Sequence, residues 1–249
     1  MLPSAHPHRS PAESDRDAAL RQYGALTRGS AWRRLRATTK RMAWVAVVES
    51  TRLIKRLVDI VGCLVLIPLL APALLVVAAL IKIDSPGPVF FRQTRIGRWG
   101  VPFSMHKLRS MYVDAEARKT ALQGQNEMAG GVIFKMKRDP RITRVGRFIR
   151  RGSIDEMPQL WNVLKGEMSL VGPRPHPPSE VAQYSLADRR RLDVIPGITC
   201  VWQVSGRSNI PFPQQVELDV GYIESQTLWG DLKLLLRTIP AVFLGRGAY

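Results

Sequence analysis

The sequence lacks the motifs that several large enzyme classes require. It has no G-x-x-x-x-G-K-[ST] loop for a nucleoside triphosphate and no G-x-G-x-x-G turn after a strand for a dinucleotide. It has no H-E-x-x-H motif and no cysteine cluster, and its four histidines are scattered along the chain. These absences argue against P-loop hydrolases, Rossmann-type dinucleotide enzymes and zinc enzymes.

Cysteine is also scarce. The only two cysteines are Cys63, in an apolar stretch, and Cys200, far away in a turn-rich region. Two such distant cysteines do not form a disulfide framework, and they fit a reducing compartment.

Charge is missing from one long segment. Residues 60–81 contain 22 consecutive uncharged residues. At about 1.5 Å per residue, a helix of this length reaches across the hydrocarbon core of a bilayer. A buried helix of a soluble protein is the alternative, but few soluble helices have so long an uncharged run.

Positive charge is abundant and brackets this segment. The net charge is +17, with 12 Lys and Arg against 4 Asp and Glu in residues 1–56 and 16 against 5 in residues 82–152. Basic flanks stay in the cytoplasm, so a simple crossing would place one flank on the wrong side. Pro68 and Pro72 lie near the middle, where each removes a helical hydrogen bond. The pattern therefore predicts a re-entrant anchor that breaks near residues 68–72; a kinked spanning helix is the alternative.

The remaining patterns predict a mixed α+β fold, mainly helical, with a small β-hairpin. Three segments are expected: a basic and partly disordered extension at 1–51, the membrane anchor at 52–83 and a cytoplasmic catalytic domain at 84–249. The hairpin strands are predicted at 89–93 and 101–107, and the helices at 113–123, 155–165, 179–193, 213–225 and 231–244. Residues 124–131 read as a loop and 196–199 as a turn. Residues 31–56 and 231–244 carry the aromatic and apolar residues of interfacial amphipathic helices, and for residues 31–56 a solvated surface helix is an equal alternative.

Residues 153–175 carry the strongest chemical signal. Asp155 and Glu156 follow a basic run that includes Arg150, and the segment closes on a rigid turn that holds Arg174. Carboxylates among arginines suit chemistry on a phosphate, which needs a nucleophile or metal ligand and cations for the phosphoryl oxygens. The alternative is structural: Ser153 and Glu156 have the spacing of a capping box. The two interpretations are compatible, and Arg150 is expected to lower the pKa of Asp155.

Other candidate residues flank this segment. Lys107 and Arg109 close the second predicted strand, and Arg207 lies in a glycine turn that could bring backbone amides near a ligand. Asp219 is a third carboxylate, which would either pair with an arginine or hold a metal. For each basic residue taken alone, a solvated surface charge is the alternative.

Several long motifs occur in a recognisable order. They are KRLVDI (55–60), DSPGPVFFRQTRIG (84–97), HKLRSM (106–111), the run from 139 to 175, PGIT (196–199), WQVSGR (202–207) and ELDVGYI (217–223). Over about residues 52–249 the chain resembles the bacterial sugar transferase family, the monotopic polyprenyl-phosphate phosphoglycosyl transferases.

The resemblance implies a reaction and its residues. A UDP-hexose would donate hexose-1-phosphate to a polyprenyl phosphate such as undecaprenyl phosphate and release UMP, as the first membrane step of exopolysaccharide or O-antigen assembly. Asp155 would be the nucleophile that forms an aspartyl phospho-sugar intermediate. Glu156 would assist with the acceptor proton or with Mg²⁺, which both carboxylates would hold. The phosphate- and substrate-binding set would be Lys107, Arg109, Arg150, Arg174, Arg207 and Asp219.

The implied location is the cytoplasmic face of the inner membrane. Two departures from the family concern geometry: Ala71 precedes Pro72 where serine is usual, and Cys200 follows PGIT where glycine is usual. A left-handed backbone at Cys200 would be strained.

Two other functions stay open from the sequence. The high pI of 10.8 would fit a membrane-tethered nucleic-acid binder, although the basic excess ends before the last 97 residues. An inactive scaffold for glycan assembly is the second, and the intact carboxylate pair argues against it. The enzyme interpretation expects no nucleic-acid partner and leaves open whether the chain forms a homo-oligomer.

Overall fold

A computed structural model describes residues 31–122, 124, 127, 136, 138–206 and 209–244. Its contacts divide the chain into two units, Met1–Arg52 and Leu53–Tyr249. The predicted disorder of residues 1–30 lies outside the described residues, as does most of the loop predicted at 124–131.

The described part of the chain is mainly helical, as predicted. Its regular elements are α1 (Ala31–Asp84), β1 (Phe90–Ile96), β2 (Pro102–Leu108), α2 (Ala115–Leu122), α3 (Arg144–Arg151), α4 (Leu160–Lys165), β3 (Ser169–Val171), α5 (Pro178–Val181), β4 (Gly197–Thr199), α6 (Val201–Ser205), α7 (Phe212–Glu224) and α8 (Leu228–Leu244). Short 3₁₀ helices lie at Arg98–Gly100, Ile154–Gln159 and Asp188–Leu192.

Helix α1 contains the apolar segment. Its Glu49–Asp84 part is, among the described residues, the one helix long and apolar enough to cross a membrane. The helix continues through Pro68 and Pro72, so the predicted break is not an end of helical structure. Proline removes one hydrogen bond and can bend a helix without ending it. A re-entrant path stays a prediction.

One side of α1 packs and the other is exposed. Cys63 is buried in one apolar cluster with residues of α4, β3 and α8, and Val77 and Ile81 are buried in a second cluster with Leu108 and Ile149. The exposed apolar side chains of this helix from residue 53 onward are Leu53, Ile54, Leu57, Val58, Val61, Leu64, Val65, Leu69, Leu75, Val76, Leu80 and Ile83. Exposure of so large an apolar surface to water is unfavourable. This surface therefore supports a membrane-associated helix over a buried helix of a soluble protein.

Both ends of the apolar segment are tied to the same unit. Near its start, Asp59 Oδ1 accepts a hydrogen bond from the Leu170 amide at 2.9 Å. At its end, Asp84 Oδ2 accepts one from the Val145 amide at 3.0 Å, in the first turn of α3. The apolar segment therefore begins and ends on the domain that carries the predicted carboxylate pair.

The predicted hairpin is confirmed. Strands β1 and β2 pair antiparallel, with Phe91 opposite Lys107 and Arg95 opposite Phe103. Side chains of a strand alternate between its two faces, so Arg95 and Lys107 project from the same face of the hairpin. Trp99 in the connecting turn has a φ of 58°, a conformation that non-glycine residues seldom adopt.

The turn predicted at residues 196–199 is wrong, because Gly197–Thr199 forms β4, parallel to β3. A Cβ atom added to Gly197 would lie 2.0 Å from the amide nitrogen of Gly172, so only glycine permits this close approach. The expected strain at Cys200 is also wrong: its φ of −145° is extended backbone, and its side chain is buried.

In place of the single helix predicted at 179–193, the chain forms two short helices, α5 and the 3₁₀ helix Asp188–Leu192. The Ser185 amide donates to Asp188 Oδ2, and the Asp188 amide donates to Ser185 Oγ. This reciprocal pair is the capping arrangement that starts a new helical turn, so the chain ends α5 and begins again at Asp188. The helices predicted at 113–123, 213–225 and 231–244 are confirmed as α2, α7 and α8, with shifted ends.

Helix α8 has the exposed face expected of an interfacial helix. Trp229, Leu232, Leu236 and Ile239 are exposed on it, and Lys233 Nζ lies 5.4 Å from the centre of the Trp229 ring. Leu234 on its other side is buried in the same apolar cluster as Cys63.

Candidate active site

The carboxylate pair opens a helical segment behind a strained turn. Ser153 has a φ of 52°, and the 3₁₀ helix Ile154–Gln159 follows it and runs directly into α4. The predicted capping box is wrong: the Ser153 side chain makes no capping hydrogen bond, and the Ser153 amide donates to the Arg150 carbonyl rather than to Glu156. The physical reason is competition, because two cations hold that carboxylate instead.

Glu156 is locked in a buried ion cluster. Lys107 Nζ lies 3.0 Å from Glu156 Oε1, and the Arg174 guanidinium donates to both carboxylate oxygens. Although burial opposes ionisation, Arg174 and Lys107 hold the pKa of Glu156 well below its usual range. The Glu156 carboxylate therefore favours its ionised form and holds Lys107 and Arg174 near Asp155.

Asp155 differs from its neighbour. It is only 6% exposed, yet among the described residues no group hydrogen-bonds to its carboxylate. Burial raises the pKa of Asp155, and the negative charge of Glu156 adds to this rise, against the opposing effect of Lys107 and Arg150. The expected lowering by Arg150 is present, but the expected net direction is wrong, because burial outweighs the cations.

Asp155 faces a cavity of about 310 Å³. Four of the predicted site residues line it together: Asp155, Lys107, Arg109 and Arg150. Burial lowers the pKa of Lys107, and Glu156 opposes that effect. A buried carboxylate beside buried cations, open to a cavity, is an arrangement that can bind an anion and present a nucleophile to it.

The turn that carries Arg174 is held by backbone contacts. The Gly172 amide donates to the Thr199 carbonyl at 3.0 Å, and the Gly197 amide donates to the Pro173 carbonyl at 2.9 Å. Contact between the two glycines thus joins the Gly172–Pro175 turn to β4. Although burial opposes its charge, Glu156 raises the pKa of Arg174 above its usual value.

Arg109 has a mainly structural environment. Its guanidinium donates to the carbonyl oxygens of Ile81, Ser85 and Pro86, the groups that end α1. Basic side chains commonly satisfy the free carbonyls at a helix C-terminus. Arg150 differs, because its Nη1 is shielded from solvent and has no hydrogen-bond partner in the part of the chain that the structure describes.

Asp219 lies elsewhere. It is 1% exposed and forms an ion pair with Arg191 at 2.6 Å, which is the arginine alternative of the two that its sequence position allowed. It is not among the residues that line the cavity of Asp155. Arg207 lies outside the described residues, so its predicted role stays a prediction.

The sequence interpretation missed Arg95. In the sequence Arg95 belongs to the basic flank of the membrane segment, but in the structure it lines the cavity with Asp155. The available signal was strand alternation, which places Arg95 and Lys107 on one face of the hairpin. The buried Asp139–Arg141 pair, 2.6 Å apart, also lines this cavity and was not predicted.

The donor set fits a magnesium ion in part. Among the described residues, no group of three or more metal-ligating side chains is present. Mg²⁺ usually binds one or two carboxylates and completes its shell with water and substrate phosphates. Asp155 fits this pattern, whereas both oxygens of Glu156 are engaged by Arg174.

Comparison with known proteins gives consistent matches. Residues 50–245 match the family described as bacterial sugar transferase. The chain is 47% identical over 195 residues to the galactosyl transferase CpsE of Streptococcus agalactiae, covering 78% of this chain and 43% of that protein. It is 42% identical over 203 residues to the UDP-glucose:undecaprenyl-phosphate glucose-1-phosphate transferase of Caulobacter vibrioides, covering 78% of this chain and 72% of that protein.

A third relative is the exopolysaccharide production protein ExoY of Rhizobium meliloti, 37% identical over 198 residues, which cover 78% of this chain and 88% of that protein. The chain spans less than half the length of several other relatives, at 43% for an undecaprenyl-phosphate galactose phosphotransferase of Salmonella typhimurium. The matches agree with one another and with the ordered motifs of residues 52–249. The chain therefore belongs to the bacterial sugar transferase family.

Proposed function

We propose that this protein transfers hexose-1-phosphate from a UDP-hexose to a polyprenyl phosphate, releasing UMP, through a covalent intermediate on Asp155. The observation that carries the proposal is the contrast within the carboxylate pair: Glu156 is held by two cations, while Asp155 faces the cavity without a hydrogen bond among the described residues. The names of the relatives support the substrate classes, because they act on UDP-sugars and undecaprenyl phosphate.

The reaction proceeds in two displacements. An Asp155 carboxylate oxygen attacks the sugar-bearing phosphorus of the donor, and the bond from that phosphorus to the bridging oxygen breaks, so UMP leaves with the electron pair. The phosphate oxygen of the lipid then attacks the same phosphorus and breaks its bond to Asp155, which regenerates the carboxylate. Two steps let one site serve a soluble donor and a lipid acceptor in turn.

The surrounding cations stabilise the charge on phosphorus. Lys107 and Arg174 are held by Glu156, and Arg150, which lines the cavity, has a buried Nη1 without a hydrogen-bond partner among the described residues. Preorganised donors of this kind stabilise a phosphoryl transition state without reorganising during the reaction. Mg²⁺, held by Asp155 and the donor phosphates, would neutralise diphosphate charge and make UMP a better leaving group.

The site works at a membrane surface. We infer a re-entrant anchor because both ends of the apolar segment, at Asp59 and Asp84, are hydrogen-bonded to the domain that carries Asp155. Basic residues flank both ends, which favours one cytoplasmic location for both. The proposal places the catalytic domain on the cytoplasmic face of the inner membrane, with the exposed face of α8 at the lipid interface.

The decisive activity experiment compares wild type with Asp155→Asn. Purified full-length protein is incubated with Mg²⁺, undecaprenyl phosphate and a panel of UDP-sugars, and UMP release is measured. With donor alone, intact-protein mass spectrometry should detect a hexose-phosphate adduct on wild type and none on the variant. UMP release at the wild-type rate by Asp155→Asn would contradict the covalent step, and the panel identifies the hexose.

The topology experiment uses sealed, right-side-out vesicles. Single reporter cysteines are introduced at exposed Arg36 and Arg92, on the two sides of the apolar segment, and labelled with an impermeant maleimide. The native Cys63 and Cys200 are buried, which keeps the background low. Both reporters should be protected until the vesicles are opened, whereas labelling of only one from outside would show a spanning helix.

Family membership does not favour the two alternative functions. A nucleic-acid binder would retain DNA in a salt-sensitive manner without releasing UMP. A scaffold would support polymer synthesis in cells equally well with Asp155→Asn.

A further inference from the structure

Arg95 occupies the wall of the Asp155 cavity from the side of the hairpin. Its Nη1 donates to the Pro175 carbonyl at 3.1 Å, and its Nη2 donates to Gln93 Oε1 at 2.6 Å. The same cavity is lined by Lys107, which projects from the same face of the hairpin. Two cations on one face of the hairpin thus line the cavity that Asp155 also lines.

Among the described residues, the guanidinium of Arg95 has no ion-pair partner. The carboxylates nearby are engaged by other groups: Glu156 by Lys107 and Arg174, and Glu180 by His176 at 3.0 Å. In the part of the chain that the structure describes, no carboxylate forms a salt bridge with Arg95, and its Nε is shielded from solvent without a hydrogen-bond partner. Burial, reinforced by the neighbouring Arg174, lowers the pKa of Arg95 to about 10.

A shielded, unpaired guanidinium next to a second guanidinium is unfavourable unless an anion compensates it. The free Nε and the planar fork of an arginine suit a phosphate group. A purely structural role explains the bond to Pro175, but it explains neither the unpartnered Nε nor the position in the wall of the cavity.

We propose that Arg95 is a further phosphate-binding residue of this site, acting with Lys107 from one face of the hairpin. The inference rests on the proposed function, because it assigns the phosphate to a substrate of the same site. That phosphate belongs either to the diphosphate of the donor or to the lipid acceptor. The bond to Pro175 gives Arg95 its fixed position beside Arg174.

The test measures binding apart from turnover. In the Asp155→Asn background, full-length protein in nanodiscs is titrated with UDP-glucose and Mg²⁺, and separately with farnesyl phosphate as an acceptor mimic, by calorimetry. Arg95→Gln should weaken binding of at least one of the two by about tenfold to a hundredfold, the range for a charged hydrogen bond. Arg95→Lys, which keeps the charge, should retain an intermediate affinity.

Arg92→Gln is the matched control. Arg92 lies on the same strand but on the opposite face, and its side chain is exposed. Its removal should change either affinity by less than about twofold, because an exposed charge contributes little. The ligand that Arg95→Gln weakens identifies the donor or the acceptor as the source of the phosphate.

Two results would overturn the proposal. One is unchanged affinity of Arg95→Gln for both ligands. The other is equal loss in Arg95→Lys and Arg95→Gln together with an equally lowered melting temperature, which would show that Arg95 only positions the Pro175 turn. If the Asp155→Asn protein does not bind UDP-glucose at all, the proposed donor fails, and the farnesyl phosphate titration still decides the role of Arg95.

Discussion

Two clusters of opposite charges in the Leu53–Tyr249 unit differ in how completely their charges are paired. The Arg191–Asp219 pair is matched one to one, 2.6 Å apart, with both side chains at most 2% exposed. In the part of the chain that the structure describes, Arg95 and Arg150 near the Asp155–Glu156 cluster form no salt bridge with a carboxylate, and this cluster opens to a cavity. Aromatic rings surround the first cluster, since the Arg191 guanidinium lies 5.7 Å from the ring centre of Phe212 and 5.9 Å from that of Tyr184.

The difference in charge pairing indicates which cluster stabilises the fold and which can bind a ligand. In the closed pair, burial opposes both charges: burial raises the pKa of Asp219, whereas Asp219 raises the pKa of Arg191 against the effect of burial. Each of the two charges has the other as its ion-pair partner. In the open cluster, burial likewise raises the pKa of Asp155, but this carboxylate forms no ion pair among the described residues and it lines a cavity. Uncompensated groups beside a cavity are where a ligand supplies the missing interaction.

The largest expected effect comes from the open cluster. Asp155→Asn should lower the rate of UMP release by about 10⁴-fold or more, as for loss of a nucleophile elsewhere. The melting temperature should stay equal or rise slightly, because the change removes a buried charge. A large fall in the melting temperature would contradict the comparison, because it would show that Asp155 stabilises the fold as Asp219 does.

The second effect comes from the closed pair. Asp219→Asn leaves the Arg191 charge buried and unpaired, so the free energy of unfolding should fall by about 3–5 kcal/mol. The double change Arg191→Met with Asp219→Leu should cost less, because it removes both charges. Thermal unfolding of the two variants measures this, and a specific activity per folded molecule near that of wild type is expected for the double variant.

Glu156→Gln should have an intermediate effect on activity. It releases Lys107 and Arg174 from their ion pairs, and displaced catalytic groups cost up to about a hundredfold in rate. We expect a loss of about tenfold to a hundredfold in kcat with retained hexose-phosphate adduct formation. Adduct formation at the wild-type rate would show that Glu156 does not position these cations.

The smallest effect is on the pH profile. Asp155 must be ionised to attack, and its pKa is raised by burial and by Glu156, so activity should be lost on acidification at a higher pH than for an ordinary aspartate. Removing the Glu156 charge lowers the pKa of Asp155, so the acid limb of Glu156→Gln should move to lower pH. Glu116→Gln, exposed on the cavity wall, should leave the limb unchanged.

Local patterns predicted the parts of the fold that local physics determines. The hairpin follows from alternation around a glycine turn, and helices α2, α7 and α8 follow from their apolar spacing. The turn prediction for β4 is wrong because Pro-Gly at its start is a local turn signal. Its pairing with β3 depends instead on a close contact of Gly197 with Gly172, which is distant in sequence.

The candidate site also combines features that the sequence predicts with contacts that it does not reveal. Adjacent carboxylates among arginines, and the ordered motifs, predicted Asp155, Glu156, Lys107 and Arg174 as site residues, and Glu156 contacts both Lys107 and Arg174. Arg109 carries the same charge, yet it donates to carbonyl oxygens at the end of α1 and just after it, such as that of Ser85, 24 residues earlier in the chain. Nothing in the spacing distinguishes these two uses of a cation.

The sequence by itself determined the charge-free helix, its basic flanks, the carboxylate pair and the family, because each is a property of neighbouring residues or of ordered motifs. Only the tertiary structure decided which charged side chains pair with one another. Glu156 pairs with Lys107, 49 residues away, and Asp219 pairs with Arg191. The tertiary structure also places Arg95 in the cavity lining. The reason is physical, since burial and Coulomb attraction depend on distance in space, and the fold sets that distance independently of position along the chain.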